Sequence, residues 1–115
     1  DFLPREQLTA PTLKAFIGLD DAAFRALFAG SPVKRVGRAR FVRNVLIAVG
    51  NSADASFLPD VEKLLHDDSP LVRGAAVWAL SRLDRARFAS LAAQQRSEPD
   101  DSVRDEWTVA LESAR

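Results

Sequence analysis

Cysteine is absent from the 115 residues, which excludes disulfides, thiolate zinc sites, iron–sulfur ligation and a cysteine nucleophile for this stretch. Its absence fits a cytoplasmic setting. No run of 18 apolar residues and no signal-peptide core occurs, so neither a membrane span nor an export signal is expected. Histidine occurs once, as His66, and one imidazole does not by itself make a Ser–His–Asp set. Glycine-rich phosphate loops and metal-ligand spacings are also missing. No catalytic residue is assigned, no cofactor or metal is expected within this chain, and an independent enzyme ranks last among the functional readings. Period-two alternation is lacking as well, so no strand is expected.

What is present is a folded composition, 47% hydrophobic and 28% charged with five Gly and six Pro. That is enough for one domain with an adequate core and too short for two. Residue 1 is Asp, and a piece of a longer protein is expected. The formal net charge is zero, but it is unevenly spread. Residues 1–50 hold eight Lys/Arg against four Asp/Glu, and residues 51–115 hold eight against twelve. Lys34, Arg35, Arg38, Arg40 and Arg43 place five cations in ten residues with no acid between them.

Three segments are self-similar: FVRNVLIAVGN (41–51), LVRGAAVWALS (71–81) and SVRDEWTVALE (102–112). Arg43, Arg73 and Arg104 coincide at spacings of 30 and 31. Each block continues with apolar residues at helical offsets: Val42, Leu46, Val49, then Val72, Ala76, Ala79, then Val103, Trp107, Ala110. Between them lie the amphipathic stretches FLPDVEKLLHD (57–67) and RFASLAAQQRS (87–97). A lone hairpin of this length cannot bury its apolar face, whereas stacked hairpins share one core. The expected fold is therefore an all-α solenoid of stacked helical hairpins with an N-terminal helical cap. Residues 1–30 form the cap, 31–52 the basic segment and first Val-Arg helix, and 53–83 and 84–115 two further repeats. Val45, Ile47, Val77, Trp78, Leu80, Val109 and Leu111 are expected to add to the core, with Phe24, Leu27 and Phe28 as one face of a cap helix ending at Gly30. Asp20, Ser69 with Pro70, Asp84 and Asp100 read as helix starts and Gly50 as a helix stop.

The block GSPVKRVGRARFVRNVLIAVGN (30–51), followed by SPLVRGAAVWALSRL (69–83), resembles the C-terminal HEAT-like domain of epoxyqueuosine reductase. The resemblance runs from DFLPR (1–5) through the third repeat, and its specific part is the Gly-Ser-Pro, Lys-Arg, Gly-Arg and Arg-Asn elements. It departs from the family pattern at Ala75, where His is common, and at Ser81, where Gly is common. The resemblance implies a parent enzyme that reduces epoxyqueuosine at the wobble position of a tRNA anticodon. Cobalamin and two 4Fe–4S clusters are then expected in an upstream part of the same protein. This chain is expected to dock the anticodon stem-loop and the upstream catalytic domain.

Under that reading Lys34, Arg35, Arg38 and Arg40 form a phosphate-gripping strip, because guanidinium groups bind phosphate oxygens bidentately and cationic side chains track an RNA backbone. The plain alternative is a solvated basic face. Arg43 and Asn44 join the RNA or domain-docking surface, since no acidic pair precedes Arg43. Arg73 and Arg104 are instead expected in a structural Arg–Asp ladder with Asp67, Asp68, Asp100 or Asp101. His66 suits a helix C-terminus, the Asp pairs at 20–21, 67–68 and 100–101 suit capping, and Trp78 and Trp107 suit the core. The competing function is a generic HEAT-like protein-interaction scaffold whose basic strip is incidental. A bilin-chromophore lyase or chaperone shares the Val-Arg style but lacks support from residues 30–51.

Overall fold

The structure, a computed structural model, describes residues 9–94 and 97–113. Seven α-helices follow in order: α1 (Ala10–Ile17), α2 (Asp21–Leu27), α3 (Arg38–Asn51), α4 (Leu58–Leu64), α5 (Pro70–Leu83), α6 (Arg85–Gln94) and α7 (Asp101–Ser113). Short 3-10 turns at Pro32–Val36 and Ala55–Phe57 precede α3 and α4. The described residues contain no strand. DFLPR at 1–5, and the rest of the cap before Thr9, lie outside the described residues.

Helix boundaries follow the capping chemistry. The Ser69 hydroxyl accepts from the Val72 amide with Pro70 in the first turn of α5, where a missing N–H costs nothing. Asp84 ends α5 and starts α6: its backbone turns extended (φ −155°, ψ 98°) while its carboxylate accepts from the Arg87 amide at 3.0 Å. Asp20 accepts from the Ala23 amide at 2.8 Å, and Asp100 from the Ser102 and Val103 amides at 2.9 and 3.2 Å. These side chains satisfy amides that the first helical turn leaves without partners.

The three Val-Arg helices α3, α5 and α7 pack side by side, with α5 between the other two, and α4 and α6 pack against α5 to form the second layer. Val42, Leu46, Val49, Val72, Ala76, Ala79, Val103, Trp107 and Ala110 are all buried, so the repeat register read from the sequence is the register of the core. On the outer layer Lys14 pairs with Asp60 at 3.4 Å, and Arg87 pairs with Glu62 at 2.8 Å. These link α1 to α4 and α4 to α6. The stack measures 44 × 28 × 21 Å. At its start Phe16, Phe24, Phe28 and Phe41 meet with ring centroids 4.9–6.1 Å apart, fastening α1 and α2 onto α3.

The structure corrects several sequence expectations. Gly50 does not stop α3; it lies buried inside the helix, and a Cβ there would meet the Trp78 ring at 2.5 Å and the Ala79 backbone at 3.2 Å. Glycine is needed because α5 comes that close. Ile47, Val109 and Leu111 are 41%, 54% and 41% exposed rather than in the core, as is Leu27 at 54%. Helix α2 ends at Leu27, and Gly30 sits in the following turn at φ 78°. The two tryptophans part company. Trp107 is buried and stacks on Phe88 with centroids 5.4 Å apart, whereas Trp78 is half-buried.

Candidate nucleic-acid interface

The basic segment begins on a turn held by glycines at both ends. Gly30 and Gly37 adopt φ of 78° and 85°, conformations that a Cβ disfavours. The Ser31 hydroxyl between them accepts from the Val33 amide at 3.2 Å, which winds Pro32–Val36 into its 3-10 turn. Lys34 and Arg35 are exposed on this turn and line an open cleft of about 540 Å³ with Gly30, Ser31 and Pro32. Arg40 is exposed in the first turn of α3. Among the described residues no carboxylate pairs with Lys34, Arg35 or Arg40, in contrast to Arg25, Arg38, Arg73, Arg87 and Arg104, each of which has one.

Arg38 leaves the expected strip. Its Nε donates to the Leu19 carbonyl at 2.8 Å, and its two terminal nitrogens donate to the two Asp67 oxygens at 2.9 and 2.8 Å. Only 16% of its side chain and 12% of the Asp67 side chain are exposed. Burial pushes the Asp67 carboxyl upward, but hydrogen bonds from Arg38 and the Ser69 amide outweigh it and hold the group below its ordinary range. A guanidinium with these donors committed inside the stack is a clasp between α3 and the following repeat, not a phosphate grip.

Arg43 and Asn44 lie one and two residues past the buried Val42 and are half-buried. One terminal nitrogen of Arg43 reaches the Asn44 side-chain oxygen at 3.3 Å, while its Nε is buried with no hydrogen-bond partner. Arg73, at the equivalent place one repeat on, is fully engaged. It grips both oxygens of Glu98 at 2.9 and 3.0 Å, and donates to the carbonyls of Asp67 and Asp68. The Arg73 hydrogen bonds hold the Glu98 carboxyl below its usual value against the opposing effect of burial. Arg104 pairs with Asp101 and donates to the Glu98 carbonyl at 2.7 Å. A ladder of arginines therefore exists, but its main carboxylates are Asp67 and Glu98. Glu98 was not among the expected partners, although it lies 31 residues after Asp67 and so fits the repeat spacing. His66 is exposed at the turn beyond α4, where its backbone amide donates to the Lys63 carbonyl.

The inner faces of α3, α5 and α7 enclose a groove of about 470 Å³. Arg43 and Ile47 form one wall, Leu71, Gly74, Ala75 and Trp78 the floor, and Ser102 and Glu106 the other wall. This accounts for the exposure of Ile47 and Leu71. No group of three metal-ligating side chains occurs among the described residues, and no helix among them is long and apolar enough to cross a membrane.

The family model for HEAT repeats matches residues 38–112, the span of the stacked helices α3 to α7. This chain belongs to the HEAT-repeat family. As a HEAT-repeat protein it is 31% identical over 95% of its length to an uncharacterized protein in the gldA 3' region of Geobacillus stearothermophilus. It is 37% identical over 71% of its length to the epoxyqueuosine reductase of Xanthomonas campestris pv. campestris, and 28% identical over 95% to that of Bacillus subtilis. The chain spans 51% of the Geobacillus protein and only 23% and 29% of the two reductases. No solved structure matches this HEAT-repeat chain.

Proposed function

We propose that this chain is the C-terminal tRNA-docking domain of a cytoplasmic epoxyqueuosine reductase, the enzyme that reduces epoxyqueuosine to queuosine in tRNA. The observation that carries the reading is the trio Lys34, Arg35 and Arg40, exposed and without a carboxylate partner among the described residues, whereas Arg38, Arg73 and Arg104 are each clasped. Similarity to several epoxyqueuosine reductases over most of the chain supports it. The anticodon stem-loop is the proposed partner, with a catalytic domain earlier in the same protein as the second. Cobalamin and two 4Fe–4S clusters would belong to that other part. This chain's own residues do not fit the clusters, since it has no cysteine, and no step of reduction is assigned to it.

The test is the salt dependence of stem-loop binding. Each neutralised phosphate contributes a log–log slope of about 0.7 to 0.9, so reversing two cations with Arg35→Glu and Arg40→Glu is expected to flatten the slope by roughly 1 to 2. Fluorescence anisotropy of a labelled hairpin between low and moderate salt reads this directly. Salt-insensitive binding, or a slope that survives the double reversal, would overturn the reading. It would favour a protein-interaction scaffold, for which the apolar side chains Ile47, Leu71 and Trp78 in the groove speak.

A further inference from the structure

We infer that the groove between α3, α5 and α7 is a base pocket: it takes one unstacked guanine-type base of the bound RNA against Trp78. The inference rests on the docking reading above and adds what that reading leaves open, namely where sequence could be sensed. Phosphate contacts position an RNA but carry little sequence information, whereas splayed bases stacked on aromatics and bonded along their edges do.

Three chemistries converge in the groove. Trp78 is half-buried, its ring edge against Gly50 and the Arg82 guanidinium 5.7 Å from its ring centroid, and it lines the floor; the indole face turned to the groove is a stacking platform for a flat heterocycle. Glu106 on the far wall is half-buried, with no ion pair or hydrogen bond of its side chain among the described residues. An ionised carboxylate accepts only, so it calls for N–H donors. Gly74 lies opposite, where even a Cβ would stand in ordinary van der Waals contact, 3.6 Å from the Glu106 Cγ. On the near wall Arg43, whose Nε is buried, makes one long bond from a terminal nitrogen to its neighbour Asn44 and has no carboxylate partner among the described residues, which leaves terminal N–H donors for an anionic oxygen.

A nucleotide meets all three at once: a flat ring, an edge of N–H donors and a phosphate. Guanine places two adjacent donors on its Watson–Crick edge, which match the two oxygens of one carboxylate; adenine places a single amino group beside an acceptor that would face Glu106 unfavourably. A polypeptide strand could also fill the groove, but the approach favours a polyanion. Arg40, Arg43 and Ile47 fall at i, i+3 and i+7 on the side of α3 opposite its buried Val42, Leu46 and Val49. The cationic path from the turn at Lys34 and Arg35 therefore leads along α3 into the groove.

The experiment compares an anticodon stem-loop hairpin carrying one loop guanine with the same hairpin carrying adenine there. In the unaltered chain, anisotropy should show the guanine hairpin binding about tenfold tighter, the scale of one lost hydrogen bond to a charged group. Glu106→Gln should erase that preference while leaving the salt slope intact. With Trp107→Phe, Trp78 becomes the sole tryptophan, and its fluorescence should be quenched saturably by the guanine hairpin. Equal affinity for both hairpins, or a preference that survives Glu106→Gln, overturns the inference without touching the docking reading. So does salt-dependent binding that leaves Trp78 unquenched. Failure of both hairpins to bind overturns the docking reading and this one with it. The affinity comparison needs no tryptophan variant, so it stands even if Trp107→Phe weakens the packing on Phe88.

Discussion

The joints on the two sides of α5 are built from the same parts in different positions. At the later joint Arg73, the repeat arginine of α5, reaches Glu98, which lies just before α7. At the earlier joint the equivalent carboxylate, Asp67, is reached not by the repeat arginine of α3 but by Arg38, five residues before it. The displaced partner leaves Arg43 without a carboxylate and with a donor unsatisfied. A stack needs one clasp per joint. Supplying it from the first turn of α3 releases the repeat position for the surface, and that release is what gives the α3 side of the groove its charge.

Removing the clasps separates the two arginines most sharply. Arg73→Ala strands Glu98, whose side chain is 5% exposed, and strips two carbonyls at the end of the preceding turn; a loss of about 3 kcal/mol is expected. Arg38→Ala should lose somewhat less, about 2 to 3 kcal/mol, and denaturant midpoints read both. Gly50→Ala tests the close approach of α5 to α3: helix propensity gains up to about 1 kcal/mol, but the Trp78 and Ala79 contacts should produce a net loss of about 1 kcal/mol. Arg43→Leu is the counterpart of Arg73→Ala at the same repeat position. It removes a donor that has no acceptor, so stability should change by less than about 1 kcal/mol. A loss as large as that of Arg73→Ala would erase the distinction between the joints.

Acid should act on both joints in the same sense. The folded-state values of Asp67 and Glu98 lie below their ordinary ones, so the clasps stabilise fully at neutral pH. Their contribution is whole above the ordinary carboxylate range and is lost as the pH falls below that range through the lower folded-state values. Thermal melts between pH 7 and pH 3 should show this fall, and the combined Arg38→Ala and Arg73→Ala chain should show a shallower one.

The repeat period made most of the fold legible. Nine apolar positions spaced by 30 and 31 residues fall in the buried interior, and Asp20, Ser69, Asp84 and Asp100 cap as their types demand. What composition could not convey was lateral distance. Gly50 looks like a helix terminator until the Trp78 ring is placed against it, and Ile47 and Val109 look like core until the helix faces are fixed by neighbours. The site was legible in outline only. Lys34, Arg35 and Arg40 are exposed where a basic cluster would put them, but Arg38 pairs with an acid 29 residues away, which no local pattern announces. Glu98 carried a signal, its repeat spacing from Asp67, that was hidden because Pro99 separates it from the more conspicuous Asp pair.

Each clasp carboxylate has a second task. Asp67 also accepts from the Ser69 amide at 3.0 Å, and Glu98 from the Asp100 amide at 2.9 Å, so one side chain both receives the earlier helix and organises the entry to the next. Starting a helix is its least favourable step. A carboxylate held by the preceding helix therefore stands ready where its successor must begin, and the clasp and the helix start share one side chain.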